Sequence, residues 1–172
     1  YMDSDQIRIF LSTLGDRYPH PAQLVLLGGS ALCLLGSPRP TLDIDYVGDD
    51  LNKNDLQRTM EELAHQMGLD VEAVPIDRFI PLPAGGHERN FHFGNFGKIE
   101  VTILDPYSIA LSKIDRGFDT DIDDVVFLIH RRLVELEELD RILDDALSHA
   151  HKFDMNPSEI IAHLQEVKSR LK

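Results

Sequence analysis

The chain carries one cysteine, Cys33, and no tryptophan, and aromatic residues make up only 7% of its 172 positions. A single thiol excludes an internal disulfide and fits a reducing compartment. Flanked by Leu32 and Leu34, that thiol reads as a packed, inert group rather than a nucleophile. Basic residues are scarce, 17 Lys and Arg against 30 Asp and Glu, for a net charge of −13. Such a surface repels polyanions at long range and argues against nonspecific DNA binding. It leaves room for a small basic patch on one RNA end, for a nucleotide neutralised by metal ions, and for a basic protein partner. Long apolar runs are missing too. The longest, over 24–35, is interrupted by Gly28, Gly29 and Ser30 and is too short to span a bilayer. The N-terminal stretch lacks the pattern of a secretory signal, so a cytoplasmic protein without membrane association is expected. The eight histidines have no zinc spacing, and no Gly-x-Ser-x-Gly elbow, Walker loop or dinucleotide fingerprint occurs.

What is present is ordinary core-forming composition, 42% hydrophobic, enough to bury a sizeable interior. Apolar spacing predicts a helix over 3–14, a buried strand over 23–27, and a short helix from Ser30 that closes near Gly36 and Pro38. Residues 42–47 alternate as a strand, 52–67 form an amphipathic helix stopped at Gly68, and 71–74 form a further strand. The prolines and the Gly85-Gly86 pair within 75–90 predict a long loop. Residues 91–93 and 98–104 read as a hairpin turning at 94–97. Helices over 106–116, 119–132, 135–151 and 157–171 complete the chain. The expectation is an α+β fold: a small mixed sheet packed by helices over 1–105, with a C-terminal helical block over 106–172 packed on it as one compact unit.

The chemistry-bearing pattern is Leu27-Gly28-Gly29-Ser30 followed, after a helix-length gap, by Thr41-Leu42-Asp43-Ile44-Asp45. Two glycines between a strand and a helix allow a tight turn and a close backbone approach to a ligand. The first amides of the helix are donors for phosphate, with the Ser30 hydroxyl assisting. Asp43 and Asp45 share a strand face, their Cα atoms roughly 7 Å apart. Paired carboxylates repel, and a divalent cation such as Mg²⁺ or Mn²⁺ is the usual compensation. A third carboxylate is expected from Glu100 in the alternating segment 98–104, which fits a two-metal displacement at a nucleotide phosphate. Cross-strand pairing within the hairpin is the plainer alternative for Glu100.

The segments 28–32 (GGSAL) and 41–47 (TLDIDYV), with the acidic strand 98–104, resemble the signature of the polymerase-beta-like nucleotidyltransferase superfamily. The following 105–129 is similar to AbiEii-toxin-like and uncharacterised, DUF6036-like nucleotidyltransferase families, where a helix bearing Lys and Arg precedes an Asp-rich helix. The resemblance implies Gly28, Gly29 and Ser30 at the triphosphate, with Thr41 nearby. It implies Asp43, Asp45 and Glu100 as metal-binding and catalytic carboxylates, Glu100 either supporting metal or activating the acceptor. Lys113 and Arg116 would neutralise phosphates, and Asp121 or Asp124 would orient them or the acceptor. Glu100 departs from the Asp more usual in the superfamily. Without the resemblance, Lys113 and Arg116 read equally as ion-pair partners of Asp119 or Asp121.

The function expected from these residues is Mg²⁺-dependent transfer of a nucleoside monophosphate from NTP to an acceptor hydroxyl, on a tRNA 3′ end or a protein. The AbiEii-like resemblance adds a toxin held by an antitoxin partner protein. The rival from another class is a catalytically silent nucleotidyltransferase-fold binding or regulatory module. An antitoxin-like protein with an acidic docking face, and a metal-dependent nuclease or glycosyltransferase, are further alternatives.

Overall fold

The computed structural model describes residues 1–172. The expected α+β arrangement is present, and the chain divides into two compact units, Tyr1–Pro75 with Asn90–Leu104, and Ile76–Arg89 with Asp105–Lys172.

The first unit opens with α1 (Ser4–Arg17). A reciprocal cap starts it: Gln6 N–H donates to Asp3 Oδ1 at 3.0 Å, and Asp3 N–H donates to Gln6 Oε1 at 2.9 Å. Two of the helix's first amides are thereby satisfied. Then come β1 (Ala22–Leu27), α2 (Gly28–Leu34), β2 (Asp43–Val47), α3 (Asp55–Met67) and β3 (Asp70–Val74). Helix α3 repeats the reciprocal cap with Asn54 and Gln57, and ends at Gly68, whose φ of 70° suits glycine. Strands β4 (Phe91–Phe96) and β5 (Ile99–Ile103) close the unit. The hairpin turn is therefore shorter than 94–97, because β4 runs on through a bulge between His92 and Gly94. The bulge keeps Phe91 opposite Ile103 while Phe96 faces Ile99.

The five strands lie in the order β3-β2-β1-β5-β4. Strands β2 and β3 are parallel, as are β1 and β5, whereas β1–β2 and β4–β5 are antiparallel. Alternation and register sort the side chains. Leu24, Leu26, Ile44, Tyr46, Val101 and Ile103 are buried on one face, and α1, α2 and α3 pack with this sheet. The opposite face carries Val25, Asp43, Asp45, Glu72 and Thr102, none fully buried.

The second unit is helical. The long loop expected over 75–90 contains two single turns, α4 (Ile76–Phe79) and α5 (Gly86–Arg89). Elements of four residues are too short to display a helical period. They are held by chemistry instead. Arg89 makes a two-pronged bond to the fully buried Asp105, Nε to Oδ1 and Nη2 to Oδ2, each at 2.8 Å. Asp105 also accepts from Tyr107 N–H and Ser108 Oγ, so the buried carboxylate is well compensated. Helices α6 (Pro106–Arg116), α7 (Asp119–His130), α8 (Leu136–Ser148) and α9 (Pro157–Arg170) follow, with a 3₁₀ turn at Ala150–Lys152. Helix α6 ends at Gly117 with φ of 70°. A side chain there would lie within 2.1 Å of the His163 ring, so glycine is required twice over. Leu139, Leu143 and Ala146 form the buried stripe of α8. No helix is long and apolar enough to cross a membrane.

Candidate active site

Strand β1 ends in the Gly28-Gly29 turn, and both glycines are needed for steric reasons. Gly28 has φ of +66°, and a Cβ on it would sit 2.5 Å from Asp45 Oδ2. A Cβ on Gly29 would sit 2.6 Å from Thr41 Oγ1. The turn is thus pressed directly against the start of β2. No side chain caps α2, so its first amides keep their donors free of that competition.

The hydroxyls flanking the turn hold it together. Ser30 is fully buried and its Oγ donates to Leu27 O at 3.0 Å, with Asp45 O at 3.5 Å. Thr41 Oγ1 donates to Asp43 O at 3.0 Å, and Thr41 pairs by its backbone with Met2 in both directions. Both hydroxyls therefore brace β2 and α2. Cys33 is buried, with its Sγ 3.1 Å from Arg39 O, as expected of a packed thiol.

Asp43 and Asp45 project from one face of β2, half-buried, while Ile44 and Tyr46 fill the other. Glu72 joins them. In the parallel β2–β3 ladder Asp45 lies opposite Glu72, and one carboxylate oxygen from each of Asp43, Asp45 and Glu72 lies within 4.8 Å of the other two. Three like charges this close are unfavourable without a cation.

Glu100 does not join this group. On β1 its partner is Gln23, whereas Asp45 pairs with Leu27. Those positions are four residues apart along β1, about 13 Å, and β1 separates the two strands. Glu100 instead lines a shallow depression with Pro21, Gln23, Asn95 and Lys98. The structure thus brings Glu72 of β3, and not Glu100 of β5, beside Asp43 and Asp45. A signal for Glu72 was present: a Val-Glu-Ala-Val alternation in the next strand after Asp43-x-Asp45, across one helix. Consecutive strands of that kind are usually neighbours, and a helical crossover makes them parallel.

The other expected ligands lie in the helical unit and are already paired with one another. Lys113 is 5% exposed, its Nζ 2.7 Å from Asp124 Oδ2 and 3.6 Å from Asp121 Oδ1. Arg116 makes a two-pronged bond to the fully buried Asp121, Nε to Oδ2 at 2.7 Å and Nη2 to Oδ1 at 2.6 Å. Phe118 N–H donates to the same carboxylate at 3.1 Å. Burial alone raises the Asp121 pKa. The Arg116 bonds, the Lys113 charge and the Phe118 amide outweigh it and hold the carboxyl below its usual range. This network joins α6 to α7, as the ion-pair alternative anticipates, with Lys113 buried rather than at the surface.

A hard divalent ion fits the donor set of Asp43, Asp45 and Glu72. It takes oxygen ligands only, and at an Mg–O distance of about 2.1 Å opposite ligand oxygens stand about 4 Å apart. Adjacent ligand oxygens on such an ion stand about 3 Å apart, so the three carboxylates, within 4.8 Å of one another, would close on it by side-chain rotation. The absence of a side chain on Gly28 keeps the space beside Asp45 Oδ2 clear.

Neither the curated proteins nor the solved structures contain a match to this chain. Residues 5–172 match a family model described as a nucleotidyltransferase of unknown function, DUF6036, and with nearly the whole sequence covered the chain belongs to that family.

Proposed function

We propose that the protein is a divalent-metal-dependent nucleotidyltransferase that moves a nucleoside monophosphate from an NTP to an acceptor hydroxyl, releasing pyrophosphate. The observation that carries this reading is the convergence of Asp43, Asp45 and Glu72 beside the Gly28-Gly29 turn in a chain of nucleotidyltransferase family. The three carboxylates would hold Mg²⁺ or Mn²⁺, which when bound neutralises triphosphate charge and acidifies the attacking hydroxyl. No side chain caps the start of α2, and the amides at a helix start suit phosphate oxygens. Glu72, the most exposed of the three, would take the proton of the acceptor hydroxyl as the acceptor oxygen bonds to the α-phosphorus and the pyrophosphate oxygen departs. Positioning and charge neutralisation supply most of the rate. A cytoplasmic tRNA 3′ end or a protein hydroxyl is the acceptor class, and the AbiEii-like resemblance supports a toxin silenced by an antitoxin protein.

Pyrophosphate release tests this. The four NTPs with Mg²⁺ and cell extract should yield pyrophosphate with the wild type and at least about a hundredfold less with Asp45→Ala. Equal release from both proteins would refute the assignment. A second reading, a silent NTP-binding module, is favoured by the internal pairing of Ser30, Lys113 and Arg116. Metal-dependent NTP binding without release, in every extract and for every NTP, would select it.

A further inference from the structure

We propose that a groove in the helical unit, between the 81–84 segment and α8, docks a basic segment of a partner protein that inserts one aliphatic side chain. The groove has a volume of about 200 Å³ and is lined by Pro81, Pro83 and Ala84 on one side and by Ile142 and Ala146 of α8 on the other. Its rim carries Glu138, Arg141 and Asp145.

Size selects the occupant. Small-molecule sites usually enclose about 300–1,000 Å³, so this groove suits one leucine-sized side chain rather than a nucleotide. Its wall is rigid in advance. Pro81 and Pro83 fix their own φ, and the Ala84 carbonyl accepts from Arg89 Nη1 at 2.9 Å. Arg89 is itself locked on the buried Asp105. A preorganised wall lowers the ordering cost of binding.

Charge selects the rest. Between Glu135 and Ser148 the chain has Glu135, Glu137, Glu138, Asp140, Asp144 and Asp145 against Arg141, and Lys168 of α9 pairs with Asp140 at 3.2 Å. Arg141 is paired with Glu138, and its neighbours Glu137 and Glu135 also act on it. With Glu138 and Arg141 offsetting each other, Asp145 leaves the rim negative, on a molecule whose net charge is −13. Lysines and arginines flanking an aliphatic anchor complement this rim, whereas RNA and acidic peptides are repelled. The surface stands independently of the three-carboxylate site.

The test uses the full chain and two fluorescein-labelled peptides, Lys-Arg-Lys-Leu-Lys-Arg-Lys and the same peptide with serine at its centre, followed by anisotropy. The leucine peptide should bind about tenfold more tightly, and added salt should weaken both. Asp145→Lys, at an exposed position, should weaken both peptides. Ala84→Arg, also exposed, should erase the leucine preference with the melting temperature unchanged. Equal affinity for the two peptides, a preference that survives Ala84→Arg, or no binding of either peptide would overturn the proposal. If Ala84→Arg does not fold, the two-peptide comparison and Asp145→Lys still decide it.

Discussion

Glu72 and Glu100 are both glutamates on strands of one sheet, yet only Glu72 reaches Asp43 and Asp45. Glu72→Gln should therefore weaken Mn²⁺ binding by tenfold or more, about 1.4 kcal/mol, while Glu100→Gln leaves it unchanged. Mn²⁺ titration followed by electron paramagnetic resonance distinguishes them; equal losses would put Glu100 back in the site. Gly28 allows a sharper test. Alanine there must adopt φ near +66° with a Cβ 2.5 Å from Asp45 Oδ2. The backbone conformation costs about 1–2 kcal/mol, and the contact displaces the carboxylate. Gly28→Ala should lower both thermal stability and Mn²⁺ affinity, whereas a stability loss with unaltered affinity would separate the turn from the metal. Asp43 and Asp45 were legible because a two-residue spacing fixes a shared strand face. Glu72 was signalled only by the alternation of 71–74, because its closeness depends on which strand lies beside β2, and that is a tertiary fact.

Helix limits were the most readable elements. The Gly68 stop and Pro106 at the start of α6 sit where the sequence signals predict, whereas α3 starts behind an Asn54 cap rather than at 52. The 76–89 segment was not readable, since a buried Arg89–Asp105 pair rather than periodicity orders it. Lys113, Asp121 and Asp124 show the same difficulty: charged residues on two helices can serve a ligand or one another. Here they hold α6 against α7. Lys113→Met leaves Asp124 buried beside no lysine and should destabilise the fold by roughly 3–5 kcal/mol in urea unfolding. Unchanged stability with lost NTP binding would instead give Lys113 to the substrate. Asp121 supplies a pH signature. Its folded pKa lies below the unfolded value of about 3.9, so its contribution is present above that pH and disappears as pH falls through the lower folded pKa. Asp121→Asn should be less stable at neutral pH and lose less on acidification below about pH 4. Asp115 behaves oppositely. Burial, with Asp154 and Glu159, raises its pKa against the opposing effect of His163, so the charged form weakens the fold and protonation relieves it. Asp115→Asn should raise the melting temperature at pH 7, and the difference should shrink as the solution is acidified toward the unfolded pKa.

At the scale of the molecule, composition bounded more than it identified. A charge of −13 argues against a general polyanion-binding surface and favours basic partners, but the proposed activity rests on three carboxylates and a glycine turn. The α+β class was legible from the mixture of strands and helices in the front half and helices behind. The order β3-β2-β1-β5-β4 was not, since parallel and antiparallel neighbours follow from packing. In the proposed function, Asp43, Asp45 and Glu72 hold a divalent ion through which an NTP binds. Isothermal titration of each of the four NTPs, with and without Mg²⁺, against the wild type and an Asp43→Ala, Asp45→Ala double variant tests it directly. Mg²⁺-dependent binding of at least one NTP to the wild type, and of none to the variant, is the expected result. Binding that ignores Mg²⁺ or survives the double substitution would contradict it, as would no binding of any NTP.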